Sequence, residues 1–358
     1  MKKKINKILD TYYPFVVTKR RKYLINKIWD ETSDEEKENL KEVYKKYFGE
    51  KENIRVLKDM RFMKHSHGFK YDEYCIFRFK NKTMKIRKTF VSNRDMKEFI
   101  AYLNPSEKKK ILRDKYECYL KFKEFYKREV IKIENENDFN KFNNFVKKNK
   151  KFVKKPYNKA FGRGIELIDS AKYKSNKELF NRLLEEGDAL VLEELIVQDI
   201  KMRVLHPSSV NTIRMIPFIK QDGTIVIHNP FIKIGQNNSF VDNGGAGGML
   251  ALIDPQTGII KTDAYDEMLN RYKKHPNTEI KIKGFQIPRW DEAIKLAKQL
   301  APLTPDLKYI GWDIALTKSG WVVVEGNGAT QFIGQQLPDD TGKKKEFERL
   351  INYKITKK

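Results

Sequence analysis

The stretch YIGWDIALTKSGWVVVEGNGA, residues 309–329, decides how the rest of the chain is interpreted. Two apolar runs flank a Lys318-Ser319-Gly320 turn, and this pattern predicts an antiparallel hairpin. Such a hairpin brings Asp313 opposite Glu325 and Asn327, which are two residues apart and therefore share one face of their strand. Two carboxylates and an amide oxygen are hard donors, suited to Mg²⁺ that is shared with substrate phosphates. The alternative is a polar hairpin facing water, but the apolar neighbours make unpaired carboxylates costly there.

A glycine-rich turn lies far upstream, in FVKKPYNKAFGRGI, residues 152–165. A predicted strand ends in Lys155-Pro156, and the chain passes through Gly162 and Gly164 into another apolar run. Glycines let backbone N–H groups approach phosphate oxygens closely, and the lysine adds a positive charge beside them. An ordinary turn between two strands is the alternative interpretation of the same pattern.

A third segment, ALVLEELIVQ at residues 189–198, is an apolar strand that ends in Glu193-Glu194. Leu195 and Ile196 follow, so the backbone there could bond an adenine edge while carboxylates reach a ribose. The alternative is a strand that reaches the surface with two solvated glutamates. Each of these three segments is a weak signal when it is taken alone.

The remaining pattern indicates an α+β chain. Residues 1 to about 60 predict basic amphipathic helices, and 70–92 alternates as a β-hairpin would, with a turn at Asn81-Lys82. Helices follow to about residue 149, and then strands dominate, with one helix at PRWDEAIKLAKQLAPL. Many strands with few helices between them favour a mostly antiparallel sheet over a doubly wound one.

The formal charge of +25 attracts polyanions in general. Lysine outnumbers arginine by 57 to 16, whereas proteins that read DNA sequence rely on the bidentate arginine side chain. We attribute the charge first to A/T-rich codon usage, second to an anionic surface or substrate, and only third to nucleic acid. The expected partners therefore include an anionic membrane or an acidic polysaccharide in peripheral contact, and no specific nucleic acid.

The cysteine content and the hydropathy pattern limit the cellular locations that are expected for this chain. Cys75 and Cys118 are far apart and lack a CxxC pattern, so neither a disulfide scaffold nor a zinc ribbon is expected. No run approaches the roughly 18 apolar residues that span a bilayer, and the basic N-terminal stretch lacks the apolar segment of a signal peptide. A cytoplasmic location is expected, extending to the inner membrane face.

The three segments occur in the order that the ATP-grasp superfamily shows, and as a set they resemble it. The stretches HPSSVNTIRMIPFI and DNGGAGGMLALIDPQTG are similar to its sugar-transfer-associated branch, and the resemblance covers roughly residues 60–340. The resemblance implies a lid subdomain and a C-terminal sheet that together clamp ATP. It also implies a ligase that forms an acyl phosphate, associated with capsule or cell-surface polysaccharide.

The resemblance assigns roles to individual residues. It implies ATP and Mg²⁺ as cofactors, with nucleotide contacts and metal ligands at positions that match the motifs of the family. The nucleotide positions are Lys115 (in a looser match at Asp114-Lys115), Lys155, Gly162, Gly164, Glu193, Glu194, Leu195 and Ile196, and the metal positions are Asp313, Glu325 and Asn327. For Lys115, a surface helix lysine is an equal alternative.

One position departs from the family pattern. Many members carry a basic residue two positions before the metal-binding aspartate, where this chain has Gly311. Arg214, in SVNTIRM, is the candidate that replaces it, and with Lys155 it is assigned to catalysis as a cation for the transferring phosphoryl group or the acyl oxyanion. Asn211 on the same segment is a further nucleotide or substrate candidate, with strand-edge polarity as the alternative. The glycine loop at 243–248 either closes over substrate or forms a wide turn.

These observations predict four segments and one activity. The segments are a helix-rich basic N-terminal domain with a β-hairpin (1–105), a lid subdomain (106–200), a catalytic subdomain (201–345) and a basic tail (346–358). The expected activity is an ADP-forming ligase that joins a carboxylate, free or glycan-linked, to an amine or a hydroxyl. A phosphotransferase on the same fold and a non-enzymatic polyanion-binding protein stay open.

Overall fold

The computed structural model describes residues 18–157, 164–237, 239–240, 242 and 247–354. The chain divides into two compact units. Unit 1 comprises the described parts of 1–102 and 331–358 together with 268–270, and unit 2 comprises the described parts of 103–267 and 271–330. The four predicted segments have other boundaries, and they stay predictions.

Helices and strands are numbered here in chain order. The helices are α1 (Lys19–Asp30), α2 (Asp34–Phe48), α3 (Ile54–His67), α4 (Tyr71–Ile76), α5 (Met84–Arg87), α6 (Asn93–Leu103), α7 (Lys110–Arg113), α8 (Lys115–Tyr126), α9 (Phe139–Lys148), α10 (Asn176–Leu184), α11 (Ile200–Arg203), α12 (Trp290–Leu300), α13 (Ile333–Gln336) and α14 (Lys344–Leu350). The strands are β1 (Val130–Ile133), β2 (Lys151–Pro156), β3 (Glu166–Asp169), β4 (Leu190–Glu194), β5 (Thr212–Met215), β6 (Pro217–Ile219), β7 (Ile225–Ile227), β8 (Phe231–Ile234), β9 (Met249–Leu252), β10 (Ala264–Tyr265), β11 (Arg271–Tyr272), β12 (Gly311–Thr317) and β13 (Gly320–Asn327).

Unit 1 is helical throughout its described residues. Ser33 caps α2 by accepting a hydrogen bond from the Glu36 amide, and three acidic residues in the first turn complement the helix dipole. The C-terminal piece of the chain is part of the same unit: the Phe347 ring of α14 lies 4.8 Å from the ring of Phe99 and 4.9 Å from that of Phe332. The segment predicted as a basic tail from residue 346 therefore includes the end of a helix.

The β-hairpin predicted for residues 70–92 is wrong. The segment forms α4, a short 3₁₀ turn at Phe79–Asn81 and α5. A strand would place consecutive side chains on opposite faces, but Tyr74, Cys75, Ile76 and Phe77 are all fully buried. Apolar residues buried on every side suit a short helix enclosed by others, so the alternation carried no information about a strand.

The first sheet of unit 2 has the antiparallel strand order β1-β4-β2-β3. Helices α9 and α10 pack on it through a shared aromatic core that includes Phe142, Phe152 and Phe180. The glycine-rich stretch lies between β2 and β3 in the sequence, and the strands predicted on either side of it are present, whereas residues 158–163 lie outside the described residues. This sheet carries the predicted nucleotide residues of β2 and β4.

The second sheet of unit 2 has seven strands in the order β11-β10-β9-β8-β5-β12-β13, and every adjacent pair is antiparallel. A separate pair, β6 and β7, completes the strands. Helices α8 and α12 share the main core with this sheet, where the Phe122 ring lies 4.8 Å from that of Trp312. The architecture is α+β with antiparallel sheets, as predicted.

The two ends of unit 2 are tied together by one buried side chain, Asn104. Its amide nitrogen donates to the carbonyls of Tyr309 and Gly328 at 2.7 and 2.9 Å, and its oxygen accepts from the Tyr309 amide at 3.0 Å. The first residues of the unit are thereby fixed beside β12 and β13. Among the described residues, no helix has both the length and the apolar character needed to cross a membrane.

Candidate active site

The β12–β13 hairpin has the register that its sequence predicts. Asp313 pairs with Glu325 and Gly311 pairs with Asn327, and a β-bulge at Val324 interrupts the ladder immediately before Glu325. The side-chain amide of Asn327 donates to Glu325 Oε1 at 3.0 Å, so the two side chains do share a face. Glu325 is exposed, whereas Asp313 is 1% exposed.

Asp313 is held by two largely buried cations. Arg214 Nε and Nη2 donate to its two carboxylate oxygens at 2.6 and 3.1 Å, and Lys233 Nζ lies 2.9 Å from Oδ2. Burial opposes ionisation, but the two cations outweigh it and hold the pKa of Asp313 well below its usual range. The strands explain the arrangement, because Arg214 on β5 is the direct cross-strand neighbour of Asp313 on β12.

The structure gives a physical reason for glycine at position 311. A Cβ atom built on Gly311 would lie 2.8 Å from Arg214 Cδ and 3.0 Å from Arg214 Nη1, and it would also collide with the Thr330 hydroxyl. The Arg214 side chain therefore occupies the space that a side chain at 311 would need. The assignment of Arg214 as the cation that replaces a basic residue at this position stays a prediction.

Lys233 is a central cation that the sequence analysis did not select. Besides Asp313, its ammonium lies 3.9 Å from the carboxylate of Asp242. Asp242 accepts hydrogen bonds from the backbone amide and the hydroxyl of Thr212, at 2.8 and 2.5 Å. Burial alone would lower the pKa of Lys233, but the carboxylates of Asp313 and Asp242 outweigh this effect and raise the pKa above its usual value. A lysine inside the otherwise apolar run NPFIKIG was the signal available in the sequence.

The phosphate-binding candidate Lys155 belongs to a second ionic group. Its ammonium lies 2.6 Å from Glu193 Oε1, while Glu193 Oε2 accepts from Arg128 Nε and Nη2 at 3.1 and 2.7 Å. Burial would raise the pKa of Glu193, but Lys155 and Arg128 together hold it at about 2. The two carboxylate oxygens of Glu193 thus bond Lys155 and Arg128, and its predicted contact with a nucleotide stays a prediction. Arg128 was not selected from the sequence.

The other nucleotide candidates lie around the same strands. Lys115 Nζ donates to the carbonyls of Pro156 and Tyr157 at 3.0 Å each, at the point where β2 leads into the glycine stretch. Burial lowers the pKa of Lys115, and the nearby Glu325 acts in the opposite direction. The lysine thus lies near Glu325 as well as near Lys155 and Glu193. Of the two lid glycines, Gly164 has a φ of 76°, which favours glycine, and Gly162 lies outside the described residues.

The hinge candidates are placed at the end of β4 and just beyond it. Glu194 Oε2 accepts from the backbone amide of Glu129 at 2.9 Å, so this carboxylate fastens β4 to the start of β1. Leu195 and Ile196 follow the strand and are half-buried. Their backbone is the part of the hinge that stays available for an adenine, and this assignment remains a prediction.

Asn211 is fully buried and bonded within a neighbouring segment. Its amide nitrogen lies 2.8 Å from Gln198 Oε1 and donates to the carbonyls of Met202 and His206 at 3.2 Å each. Within the described part of the chain its own Oδ1 has no hydrogen-bond partner. These contacts fix the segment between β4 and β5, and the structure does not bring the Asn211 side chain to the Asp313 group.

The described residues fit a hard divalent cation. Glu325 Oε2 and Asn327 Oδ1 accept no hydrogen bond from any other described residue, and carboxylate and amide oxygens are the donors that Mg²⁺ prefers. Asp313 differs, because three N–H donors already occupy its carboxylate and leave one lone pair on Oδ1. Consistent with this, no cluster of three His, Cys, Asp or Glu side chains suited to a metal occurs among these residues. Glu325 and Asn327 would be the main ligands, with Asp313 supplementing them.

Several solved structures are similar to this chain at low identity. An ATP-grasp ligase, PsnB, complexed with minimal precursor shares 14% identity over 74% of this chain and 66% of that one, with a TM-score of 0.39. D-alanyl-alanine synthetase A from Vibrio cholerae O1 biovar eltor str. N16961 shares 10% over 68% and 62%, with a TM-score of 0.40. N5-carboxyaminoimidazole synthetase from Staphylococcus aureus, complexed with ADP, shares 11% over 69% and 52%, with a TM-score of 0.39. The chain spans about half to two thirds of the length of these proteins, and likenesses this distant do not establish a shared activity.

The family assignment rests on the sequence profile. No curated protein matches the chain. The profile of the sugar-transfer associated ATP-grasp family matches residues 94–352, which is most of the chain and includes every predicted site residue. The predicted resemblance is therefore confirmed: the chain belongs to the sugar-transfer associated ATP-grasp family.

Proposed function

We propose that the protein is an ADP-forming, ATP-dependent ligase that joins a carboxylate to an amine or a hydroxyl. A carboxylate oxygen of the substrate attacks the γ-phosphorus of ATP, and the bond from that phosphorus to the departing ADP oxygen breaks. The acceptor nitrogen or oxygen then attacks the acyl carbon, the bond from carbon to phosphate oxygen breaks, and the acceptor gives up a proton. The intermediate between the two steps is an acyl phosphate.

The observation that carries this proposal is the pair of largely buried cations on Asp313. Arg214 and Lys233 both lie within 3.1 Å of this carboxylate, directly across the hairpin from Glu325. Asp313, together with Asp242 at 3.9 Å from Lys233, balances the two charges and holds both cations in fixed positions beside the oxygen donors. Transfer of a phosphoryl group to a carboxylate gathers negative charge on phosphate and acyl oxygens, which fixed cations stabilise.

Each candidate site residue has its own role in the proposed reaction. Lys155 faces the phosphates of ATP, and Glu193 keeps it oriented until they arrive. Arg214, held in a fixed plane by Asp313, stabilises the transferring phosphoryl group or the acyl oxyanion. Bound Mg²⁺ would neutralise phosphate charge at Glu325, Asn327 and Asp313.

The family and the charge support a cell-surface substrate. Membership in the sugar-transfer associated branch supports a sugar acid or an amino acid of capsule or cell-surface polysaccharide as one reactant. A net charge of +25 suits acidic glycans, their lipid-linked precursors and an anionic membrane surface. We accordingly propose a cytoplasmic enzyme that works at the inner membrane face without specific nucleic-acid contacts.

Hydroxylamine trapping tests the reaction. With ATP, Mg²⁺ and a panel of sugar acids and amino acids, an acyl phosphate should be intercepted as a hydroxamate, with ADP and phosphate released together. AMP and pyrophosphate with a competent substrate would contradict the proposal, since attack would then fall on the α-phosphorus. ADP with a stable phosphoester would indicate a kinase instead.

A pair of neighbouring lysines supplies the matched control for that assay. Lys155→Ala should suppress hydroxamate formation, because the Lys155 ammonium is assigned to the phosphates. Lys154→Met removes an equally buried ammonium that pairs with Glu166 and Glu186 on the other face of β2. It should retain activity, and equal loss in both variants would argue against the role of Lys155.

A further inference from the structure

The strand that carries Glu325 lies at the edge of its sheet. In the order of the seven-stranded sheet β13 is terminal, so on one of its sides no strand of the described residues pairs with it. The β-bulge falls on this strand: Asp313 pairs with Glu325, and Ile314 pairs with Val323, which leaves Val324 unpaired. A bulge bends a strand and redirects the side chains that follow it, so the direction of Glu325 depends on how the bulge is held.

Arg128 holds the bulge from its open side. Nη1 donates to the carbonyl of Val323 at 2.5 Å, and Nη2 donates to the carbonyl of Val324 at 3.2 Å. Successive carbonyls of a regular strand point in opposite directions, so one guanidinium reaches both only because the bulge turns them to the same side. Arg128 thus recognises the irregular backbone immediately before Glu325.

All five N–H donors of Arg128 are in use. Nη1 also donates to the Tyr126 carbonyl at 3.3 Å, and Nε and Nη2 donate to Glu193 at 3.1 and 2.7 Å. The guanidinium lies 4.6 Å from the centre of the Tyr126 ring, and its side chain is 4% exposed. Lysine carries the same charge but has neither the planar fork nor the number of donors, so it could not replace this set of contacts.

Glu193 connects Arg128 to Lys155, the predicted phosphate-binding residue. Glu193 bonds Arg128 through Oε2 and Lys155 through Oε1, so a single buried carboxylate connects the two cations. The connection runs from Lys155 on β2, through Glu193 on β4, to the bulge of β13 and Glu325. It joins the sheet that carries the phosphate-binding lysine to the strand that carries the metal-binding carboxylate.

We propose that Arg128 is a positioning residue that fixes Glu325 for the metal and links it to Lys155. The proposal rests on the proposed function, since it needs ATP and Mg²⁺ to be bound. Residues that hold metal ligands in place contribute roughly 10- to 100-fold to metal affinity. Loss of Arg128 should therefore weaken Mg²⁺ binding by about that factor, while binding of metal-free nucleotide changes much less.

The test measures nucleotide binding and needs no acceptor substrate. An ATP analogue with a fluorescent methylanthraniloyl group on its ribose is titrated in EDTA, and Mg²⁺ is then titrated at a fixed analogue concentration. For Arg128→Lys we expect the half-saturating Mg²⁺ concentration to rise about 10- to 100-fold, with the Kd in EDTA changed less than about threefold. An Mg²⁺ dependence equal to that of the wild type would overturn the proposal, and so would equal weakening with and without metal.

The control variant is Arg289→Lys, at the opposite end of the same hairpin. Arg289 is an exposed side chain that pairs with Glu292 and donates to the Lys318 carbonyl, and this variant should keep the wild-type Mg²⁺ dependence. A wild-type protein that binds no analogue would refute the proposed function, and this inference with it. A wild type with Mg²⁺-dependent binding and an unaltered Arg128→Lys variant would refute the inference alone.

Hydrogen exchange of the wild-type protein decides the question if Arg128→Lys does not fold. The analogue with Mg²⁺ should slow amide exchange at residues 322–326 and at 128–131 together, because one guanidinium joins them. Slower exchange at only one of the two segments would overturn the proposal.

Discussion

The carboxylate of Glu193 offers the clearest quantitative test of the ionic group around Lys155. Glu193→Gln preserves the shape of the side chain but removes the charge that two buried cations share. Lys155 and Arg128 together hold the pKa of Glu193 at about 2 against an ordinary value of 4.5, despite its burial. A tenfold change in an equilibrium constant corresponds to about 1.4 kcal/mol, so the ionised carboxylate stabilises unit 2 by about 3 kcal/mol. This agrees with the 3–5 kcal/mol that removing one partner of a buried ion pair typically costs.

The contribution of Glu193 has a defined pH range. Because its pKa in the folded protein lies below 4.5, the stabilisation is complete above about pH 4.5 and is lost as the pH falls toward 2. The difference in the free energy of unfolding between wild type and Glu193→Gln should therefore be largest at pH 7. It should shrink steadily between pH 4.5 and 3.

Urea unfolding followed by tryptophan fluorescence measures this difference. Three of the four tryptophans, Trp290, Trp312 and Trp321, are buried in unit 2, so the signal reports mainly on that unit. The control is Glu292→Gln, which breaks the exposed ion pair with Arg289 and should cost less than about 1 kcal/mol. A loss below about 1 kcal/mol for Glu193→Gln at pH 7, or one that does not shrink in acid, would refute the reasoning.

Three further predictions concern other groups of unit 2. Glu325→Gln should keep the Tm within about 2 °C because the side chain is exposed, yet it should lower ATP-dependent turnover more than about tenfold. Asp313→Asn should instead lower the free energy of unfolding in urea by about 3–5 kcal/mol, since two largely buried cations lose the carboxylate that they share. Burial lowers the pKa of His275 below its usual 6.5, so the free energy of unfolding should decrease as the pH falls from 6.5. In His275→Asn, the difference between the free energies of unfolding in urea at pH 7.5 and at pH 5.5 should be smaller than in the wild type. Gly311→Ala should cost about 1–3 kcal/mol by crowding Arg214, measured by thermal unfolding, and an unchanged Tm would contradict the packing described.

The β12–β13 hairpin and the hinge strand β4 were predictable because their patterns depend on residues that are close together in the sequence. Two apolar runs around a Lys-Ser-Gly turn specify β12 and β13, and the register then places Asp313 across from Glu325. Likewise an apolar run that ends in two glutamates predicts β4, and it ends at Glu194 in the structure. Period-two patterns and turn residues act over a few positions, so a single sequence can reveal them.

The partners of these residues could not be predicted in the same way. Arg128 lies in an unremarkable stretch, YKREVIKI, and its function arises only where the bulge of β13, about 195 positions away, meets it. The two cations on Asp313 likewise come from β5 and β8, which only the strand order brings beside β12. The strand prediction for residues 71–87 was wrong for a related reason, because tertiary packing buries side chains on both faces of this segment.

The order of the two units along the chain has a consequence for synthesis. Apart from residues 268–270, unit 2 is inserted between the two main pieces of unit 1. The ring of Phe99 contacts those of Phe332 and Phe347, so part of the unit 1 core comes from residues that are synthesised after unit 2. At about 5–20 residues per second, the intervening chain delays those residues by on the order of 10 to 50 s. Phe99 must remain without these two aromatic partners until the residues of unit 2 have been synthesised.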